Sequence, residues 1–451
     1  MRVAFHTFGC KVNQFDTEGL VSTFKAEGYE VVPFSAAADA YVINTCTVTK
    51  TAEQKARQVT RKIKRAHPEA LVVVTGCYAQ TNPEDVAALP EADLIVGVSG
   101  RSDLVNLVTK RLRGHAHSPH ECAGFSIGAE RTYVRSWTAK PGFEVYTPEF
   151  AEKTRAFLKV EDGCESYCSY CKIPFARGPV RSLPPDQVRA EINRLKDSGF
   201  KELVLVGIHL GNYGKDLGKN LAELLKVIAE EHKESSAFRI RLSSIEPTDF
   251  TPELIRVVLG SNLFCPHFHI PLQSGSDTVL QRMNRPYTTR EYRELLKRLR
   301  AHRPNLAVST DLMVGFPGET PEEFAETLRF LREEEFSRVH IFPYSPREGT
   351  AAARLPNQLC RKEKEERAKQ AELTAEEVVA GYRRTFFGKT VEVLTEEEVA
   401  PGVWEGFSGE YLRVRLRGFY GDGLQNNTMV QAGVIETAEE PLIAEVKSDP
   451  R

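Results

Sequence analysis

Cys164, Cys168 and Cys171 place three thiols at C-x3-C-x2-C spacing, directly after the strand-like run Phe157-Leu158-Lys159-Val160. Thiolates ligate soft metals, and iron-sulfur clusters ordinarily take four of them. A tight trio with no fourth Cys or His nearby points to a 4Fe-4S cluster with one iron open to an exogenous ligand. An open iron implies chemistry rather than electron storage alone. Structural zinc is the competing reading, but it requires a closed tetrahedral set, and no second ligand pair follows downstream. Loop thiols without metal are a weaker reading still, because so dense a cluster in a reducing compartment ordinarily has a metal reason.

Three further cysteines, Cys10, Cys46 and Cys77, each fall just beyond a short apolar run, at residues 3–5, 40–43 and 71–74. Such runs, separated by amphipathic stretches such as residues 17–28, read as buried parallel strands of an open α/β sheet. Loops at the carboxyl ends of parallel strands share one edge, so thiols distant in sequence can meet there. A single cysteine is more often a small buried hydrophobe; three at equivalent positions are hard to assign to packing. Between them, residues 50–67 carry Lys50, Lys55, Arg57, Arg61, Lys62, Lys64 and Arg65 against one acidic residue, Glu53. Helical spacing aligns Arg57, Arg61, Lys64 and Arg65 on one side, as either a solvated face or a phosphate-binding one.

The remaining elements must position these groups. The chain has 451 residues, 41% hydrophobic and 27% charged, as expected of a globular protein of two to four domains. No apolar leader opens it and no stretch approaches a membrane span, so the expected location is cytoplasmic, with no membrane partner. An odd count of nine cysteines argues against a disulfide framework. A net charge of -2 leaves any nucleic-acid contact to local patches. Residues 1–113 form the expected α/β domain. Residues 114–152 lose periodicity and read as a linker or lid, in which Trp137 and Tyr146 are candidates to pack on a neighbour. Its His115, His117, His120 and Cys122 only superficially resemble metal ligands.

Residues 153–384 alternate strand and helix, with strands near 157–160, 202–206, 238–242, 267–270, 307–313 and 337–342. Six β/α units indicate a partial parallel barrel of TIM type, whose functional residues follow its strands. Gly207, Ser243, Ser244, Glu246, Gln273 and Ser274 lie in such segments, and Arg177 and Arg285 are expected at the same mouth. Residues 361–384 read as a mixed-charge connecting helix. Residues 385–447 read as a small β module in which Arg413, Arg415 and Arg417 alternate with Leu412, Val414 and Leu416, facing solvent or an RNA backbone. Phe407, Phe419 and Tyr420 either stack bases or fill its interior.

The C-x3-C-x2-C trio resembles the radical S-adenosylmethionine (SAM) enzymes. Together with Thr7-Phe8-Gly9-Cys10-Lys11-Val12-Asn13, Asn44-Thr45-Cys46 and Thr75-Gly76-Cys77-Tyr78-Ala79-Gln80, it resembles the methylthiotransferases, in particular the branch acting on threonylcarbamoyladenosine in tRNA. The C-terminal module is similar to the TRAM domain, a small RNA-binding β-barrel. The resemblance implies a radical SAM barrel and two 4Fe-4S clusters, one on Cys10, Cys46 and Cys77, the other on Cys164, Cys168 and Cys171 with SAM on its open iron. Reductive cleavage of SAM would give a 5′-deoxyadenosyl radical that takes hydrogen from C2 of an adenine. The other cluster would carry the sulfur that is methylated and inserted. Ser243, Ser244, Glu246, Gln273, Ser274 and Gly207 supply hydroxyls, amide, carboxylate and close backbone approach suited to SAM. Implied partners are the tRNA anticodon loop, an electron donor such as flavodoxin, and a sulfur source. Isopentenyladenosine in tRNA and a ribosomal-protein aspartate are the competing family substrates. A non-catalytic iron-sulfur RNA-binding protein is the competing class.

Overall fold

The structure, a computed structural model, describes residues 1–114, 131–137, 142–150, 154–234, 237–417 and 424–447. His115, His117, His120, Cys122, Phe419 and Tyr420 lie outside the described residues. The chain forms two compact units, one of residues 1–151, 161–183 and 345–353, the other of residues 152–160, 184–344 and 354–451. Among the described residues, no helix is long and apolar enough to cross a membrane.

In the first unit, the runs preceding Cys10, Cys46 and Cys77 become the parallel strands Arg2–Thr7, Ala40–Thr45 and Leu71–Gly76. They lie side by side in a six-stranded sheet with Glu30–Val31 at one edge and Leu94–Val96 then Thr132–Tyr133 at the other. Ala40–Thr45 and Leu71–Gly76 are buried throughout, as expected of parallel strands covered on both faces. Thr132–Tyr133 corrects the reading of residues 114–152 as a linker: Thr132 pairs with Ile95 and Tyr133 with Val96. Two residues are too few to show a period, so the sequence pattern missed this strand. Tyr146 packs on the core and Trp137 on Cys77, Val98 and Ala176. Gly19 makes the Tyr146 contact possible, since a Cβ there would lie 2.5 Å from the Tyr146 Cβ.

The second unit contains six parallel strands: Arg155–Lys159, Glu202–Val206, Arg239–Leu242, His267–His269, Ala307–Val314 and Arg338–Pro343. They pair in chain order, with the Ser244/His269 and Ile240/Phe264 bridges joining the two groups of three. This is the expected partial barrel. Helices Leu221–Glu231, Thr289–His302 and Pro321–Glu333 each begin with a capping box, from Asn220/Glu223, Thr288/Glu291 and Thr320/Glu323. Each box satisfies two otherwise unpaired N–H groups and fixes where the helix starts. Thr310 Oγ1 and Tyr292 Oη of the Thr289–His302 helix both donate to the Ile270 carbonyl at 2.8 Å, marking the helix-facing side of these strands. Alternate residues, including His269, Ser309, Asp311 and His340, therefore face the barrel interior.

Residues 390–446 close into a five-stranded antiparallel and parallel barrel, Thr390–Ala400, Val403–Ser408, Arg413–Arg417, Leu442–Val446 and Met429–Glu436 in spatial order. Its guanidinium row differs from the expected free one. Arg413 and Arg415 each reach the buried Glu405 carboxylate at 2.6 Å, leaving Arg417 as the exposed arginine of the strand without that neutralisation. The helix Arg361–Arg384 spans the residues expected of it.

The β-barrel joins the floor of the parallel barrel through buried charge. Glu202 accepts from Arg239 Nε at 2.6 Å and Arg241 Nε at 2.7 Å. Their remaining donors reach the Phe407 carbonyl at 2.9 Å and the Ser408 and Gly409 carbonyls at 3.1 and 2.9 Å. Arg241 also lies over the Tyr411 ring. Burial raises the Glu202 pKa, but Arg241 and Arg239 outweigh it and hold the carboxyl well below its usual range. Glu202→Gln should therefore cost about 3 kcal/mol in denaturant unfolding, because two buried guanidinium groups lose their counterion. A carboxyl with a depressed folded-state pKa contributes stability above its unfolded value, lost as pH falls toward the folded one. The variant's stability should accordingly fall less steeply than wild type on acidification below the ordinary glutamate range, read from unfolding midpoints across that window.

Candidate functional site: two cysteine trios in one unit

Cys10 is the residue before the helix Lys11–Ala26, Cys46 follows the strand Ala40–Thr45, and Cys77 opens the helix Cys77–Thr81. Strand ends thus present all three at one edge of the sheet, with Cys46 and Cys77 buried and Cys10 exposed. Asn13, one helical turn after Cys10, brackets them. Its Nδ2 donates to the carbonyls of Phe8 and Thr45 at 2.8 and 3.1 Å, the residues leading into Cys10 and Cys46. Its Oδ1 lies 3.9 Å from the Cys77 Sγ. Gly9, at φ +104°, lets the chain pass: a Cβ there would sit 3.0 Å from the Cys46 Sγ. Burial and the neighbouring Cys77 push the Cys46 thiol up to about 12, so metal binding here must release a proton. The sequence pattern singled out Asn13 only as part of a motif; its spacing of three from Cys10 on a helix was the available signal.

The second trio lies in the same unit. The antiparallel pairing of Glu161–Asp162 with Arg181–Ser182 closes the loop that carries it. Within that loop Cys164 N donates to the Gly178 carbonyl and Cys171 N to the Cys168 carbonyl, both at 3.0 Å. Ala352 N donates to the Ser169 carbonyl at 2.7 Å, bracing the loop from residues 345–353. All three thiols are partly exposed. Among the described residues, no three His, Cys, Asp or Glu side chains are grouped to hold a single metal ion. A four-iron cluster is wider than one ion, and its thiolate ligands stand correspondingly farther apart. The all-sulfur donor sets and the close backbone approach at Gly9 suit such a cluster.

Arg177 differs from its expected place at a ligand-facing mouth. It is fully buried on the helix Ile173–Arg177, donating to Asp16 at 2.8 Å, to Asp162 at 3.1 Å and to the Asn13 side-chain oxygen. Arg101 shares Asp16, also at 2.8 Å. Burial opposes the charge of Arg177, but Asp162, Cys77 and Asp16 more than offset it and hold its pKa well above the usual value. Arg285 is likewise buried, paired with Glu246 and set over the Tyr287 ring. The basic helix Lys50–Ala66 is divided: Arg57 donates to Tyr78 Oη and Lys64 pairs with Asp93, while Lys55, Arg61, Lys62 and Arg65 remain exposed. Glu53, its single acid, is buried against Arg347, which also donates to Thr47 Oγ1 at 3.1 Å, next to Cys46.

In the second unit, Gly207, Ser243, Ser244, Glu246 and Gln273 all follow strands as expected. Ser243 Oγ is buried without a hydrogen-bond partner among the described residues, as a ligand-facing hydroxyl would be. Gln273 has φ +66°, a left-handed backbone held by bonds to the Asp311 carbonyl and from Met313 N. Ser274 differs: it is fully buried, its hydroxyl 3.3 Å from Thr327 Oγ1 of the helix Pro321–Glu333, so it braces the loop. The sequence pattern did not pair His209 with Asp249, which lie 2.7 Å apart in loops, or His269 with Asp311, which lie 3.2 Å apart on neighbouring strands.

The Uncharacterized protein family UPF0004 model matches residues 2–97, and the Radical SAM superfamily model matches residues 158–331. Among solved structures, the radical S-adenosylmethionine methyltransferase TsrM from Kitasatospora setae shares the fold, at a TM-score of 0.58 and 16% identity over 78% of this chain and 77% of its own. The matched model identifies residues 158–331 as a radical SAM domain. The threonylcarbamoyladenosine tRNA methylthiotransferase MtaB of Bacillus subtilis (strain 168) is 40% identical over 422 residues, 92% of this chain and 90% of its own. The tRNA-2-methylthio-N(6)-dimethylallyladenosine synthase of Clostridium novyi (strain NT) is 34% identical over 404 residues, 88% and 85% of the two chains. The chain belongs to the radical SAM methylthiotransferase family.

Gly9→Ala should selectively weaken the first trio, because its Cβ would crowd Cys46 and its φ is one that L side chains rarely adopt. After anaerobic reconstitution, the variant should take up less iron and sulfide than wild type, with a deficit like that of a Cys10→Ala, Cys46→Ala, Cys77→Ala variant. Wild-type iron content would contradict this.

Proposed function

We propose that this chain is a tRNA methylthiotransferase that adds a methylthio group to C2 of N6-threonylcarbamoyladenosine beside the anticodon. The observation that carries the reading is the identity of 40% across 92% of the chain to a relative of that name, joined to two three-thiol sets in one compact unit. Cys164, Cys168 and Cys171 would hold one 4Fe-4S cluster and Cys10, Cys46 and Cys77 the other. With SAM bound, the first of these supplies radical chemistry, which an unactivated aromatic C–H bond demands because side-chain acids and bases cannot break it.

The chain's own residues supply position and shelter. The bracing of residues 163–172 by Gly178 and Ala352 fixes the loop whose partly exposed thiols leave room for an exogenous iron ligand. Asn13 and Arg177 hold the other three thiol loops in register, and the burial of Cys46 and Cys77 limits contact with water. Ser243 and Gln273, at strand ends, are the residues we assign to SAM, with Gly207, Ser244 and Glu246 in the same loops and Ser274 behind them. Among the described residues, the exposed Lys50, Lys55, Arg61, Lys62, Arg65 and Arg417 are cations placed to meet RNA phosphate, a sequence-independent contact. The C-terminal barrel is assigned the RNA-binding role of a TRAM domain. An electron donor such as flavodoxin, a sulfur source and a cytoplasmic location complete the reading, since tRNA and reducing equivalents meet there.

Cys168→Ala should abolish formation of 5′-deoxyadenosine from SAM under reducing conditions while the first trio keeps its iron; wild-type cleavage would remove the assignment. The substrate is settled by mass spectrometry of tRNA nucleosides from a strain lacking the gene, with and without the chain restored. Gene-dependent 2-methylthio-N6-threonylcarbamoyladenosine is expected. Dependence of the isopentenyladenosine derivative instead would move the chain to the other tRNA branch, in line with its 34% identity to a relative of that name.

A further inference from the structure

Residues 345–353 belong to the first unit although they follow the last strand of the parallel barrel in sequence. The segment opens at Ser345, whose Oγ accepts from Lys50 N at 3.3 Å, at the start of the basic helix. It turns at Gly349, φ +85°, where Thr350 N and Oγ1 both donate to the Arg347 carbonyl, at 3.1 and 2.7 Å. That turn fixes the backbone from which Arg347 reaches the loop after Cys46. Arg347 is 5% exposed, paired with Glu53 and bonded to Thr47 Oγ1, which itself donates to Glu53 at 2.8 Å. These contacts balance the guanidinium charge. They leave Nε, which is buried with no hydrogen-bond partner among the described residues. A charged donor buried without an acceptor is costly, so nearly all such groups in native proteins have one. Of the buried arginine Nε atoms in that state, those of Arg347 and Arg177 border thiols of the first trio. Arg347 stands by Cys46, and Arg177 by Cys10 and Cys77 through Asn13.

We propose that Arg347 donates through Nε to sulfur of the cluster on Cys10, Cys46 and Cys77 and so raises that cluster's reduction potential, beyond bracing the loop after Cys46. The inference rests on the cluster assignment made under the function proposed above. Cluster sulfur is a hydrogen-bond acceptor, and donors to it are one of the means by which a protein sets the potential. Reduction adds negative charge to the cluster, so a donor stabilises the reduced form and its loss lowers the potential. Glu53 neutralises the guanidinium at long range, which leaves the directed N–H as what distinguishes this residue. The backbone already serves the same sulfur in this way, since Val48 N lies 3.4 Å from Cys46 Sγ. Arg347 stands 300 residues beyond Thr47 in sequence and outside residues 2–97, the range of the UPF0004 model. The surroundings of the first trio are thus completed by a segment from the far half of the chain.

The test uses the full-length chain with Cys164, Cys168 and Cys171 replaced by Ala, so that the first trio alone takes up a cluster on anaerobic reconstitution. Iron and sulfide content and the midpoint potential, from a redox titration followed by electron paramagnetic resonance, are compared for three forms: Arg347 intact, Arg347→Lys, and Arg347→Met combined with Glu53→Gln. The double variant removes both charges together, so no buried carboxylate is left uncompensated. Lysine keeps the charge facing Glu53 without the guanidinium's fixed fork of donors. Both variants should take up the same iron as the form with arginine. The double variant's reduction equilibrium should fall by about tenfold, the scale of one hydrogen bond to a charged group and about 59 mV for one electron. Arg347→Lys should lie between the two. Unchanged midpoints in both variants overturn the proposal and leave Arg347 a brace. Loss of iron from both overturns it as well, because the residue then holds the loop and does not tune the cluster. If the form with arginine takes up no iron on the first trio, the cluster assignment falls and the inference with it.

Discussion

The first unit depends on one carboxylate. Asp16 is wholly buried and receives both Arg101 and Arg177 at 2.8 Å. Asp16 lies on the helix that follows Cys10, Arg101 in the turn after the fifth sheet strand, and Arg177 on the helix that follows Cys171. Removing the charge would leave two guanidinium groups without full compensation in the interior, a loss on the order of 3–5 kcal/mol for a broken buried pair. A salt bridge of this kind is weak evidence of net stability, because an apolar replacement of the set can fold as well. What it supplies is direction. A hydrophobic contact between the same three segments would tolerate sliding, whereas a shared carboxylate with donors from two sides fixes their register, and with it the placement of both cysteine sets.

The second unit solves a related problem differently. Six parallel strands leave a partial barrel, whose floor must be closed without an apolar plug of matching shape. Glu202 between Arg239 and Arg241 provides a charged floor, and the spare guanidinium donors reach backbone carbonyls at residues 407–409. Each buried donor is thereby matched to an acceptor, the condition under which buried charge is tolerated. The C-terminal barrel is consequently joined to the parallel strands by main-chain acceptors, which do not depend on the identity of the side chains at those positions.

Much of this was legible in the sequence where a pattern repeats. The three apolar runs before Cys10, Cys46 and Cys77 mark their strands because buried parallel strands read as continuous hydrophobic stretches. The helices at 185–197, 221–231, 289–302 and 321–333 carry strong periodicity, most with capping residues at their starts. Thr132–Tyr133 and Glu30–Val31 were illegible, since two residues carry no period and owe their pairing to the neighbour already in place. Charge was the least legible property. Arg177, Arg285, Arg413 and Arg415 look available in the sequence, yet each has a carboxylate supplied by another element, for Arg413 and Arg415 the adjacent strand's Glu405. A pattern of like charges shows where cations lie along one element and says nothing of the acid that folding brings opposite them.

The two trios, finally, meet opposite demands in their surroundings. On the function proposed above, the cluster that admits an exogenous ligand would need a free approach to one iron, and Cys164, Cys168 and Cys171 sit partly exposed on a loop closed at its base and braced by Ala352. On the same reading, a sulfur-carrying cluster on the first trio would gain from exclusion of water, and Cys46 and Cys77 are buried beneath the sheet edge with Cys10 alone at the surface. Arg177 ties the two environments together: it leaves the loop of the exposed trio and ends among Asn13 and Asp16, the residues that order the buried one. Electrostatics acts in the same sense. Three neighbouring thiolates, two of them buried, repel one another, and a permanent guanidinium charge nearby lowers the cost of holding them ionised. A lysine in that place would carry its charge as a point on a flexible stem and could not address Asp16, Asp162 and Asn13 together, so the geometry calls for arginine.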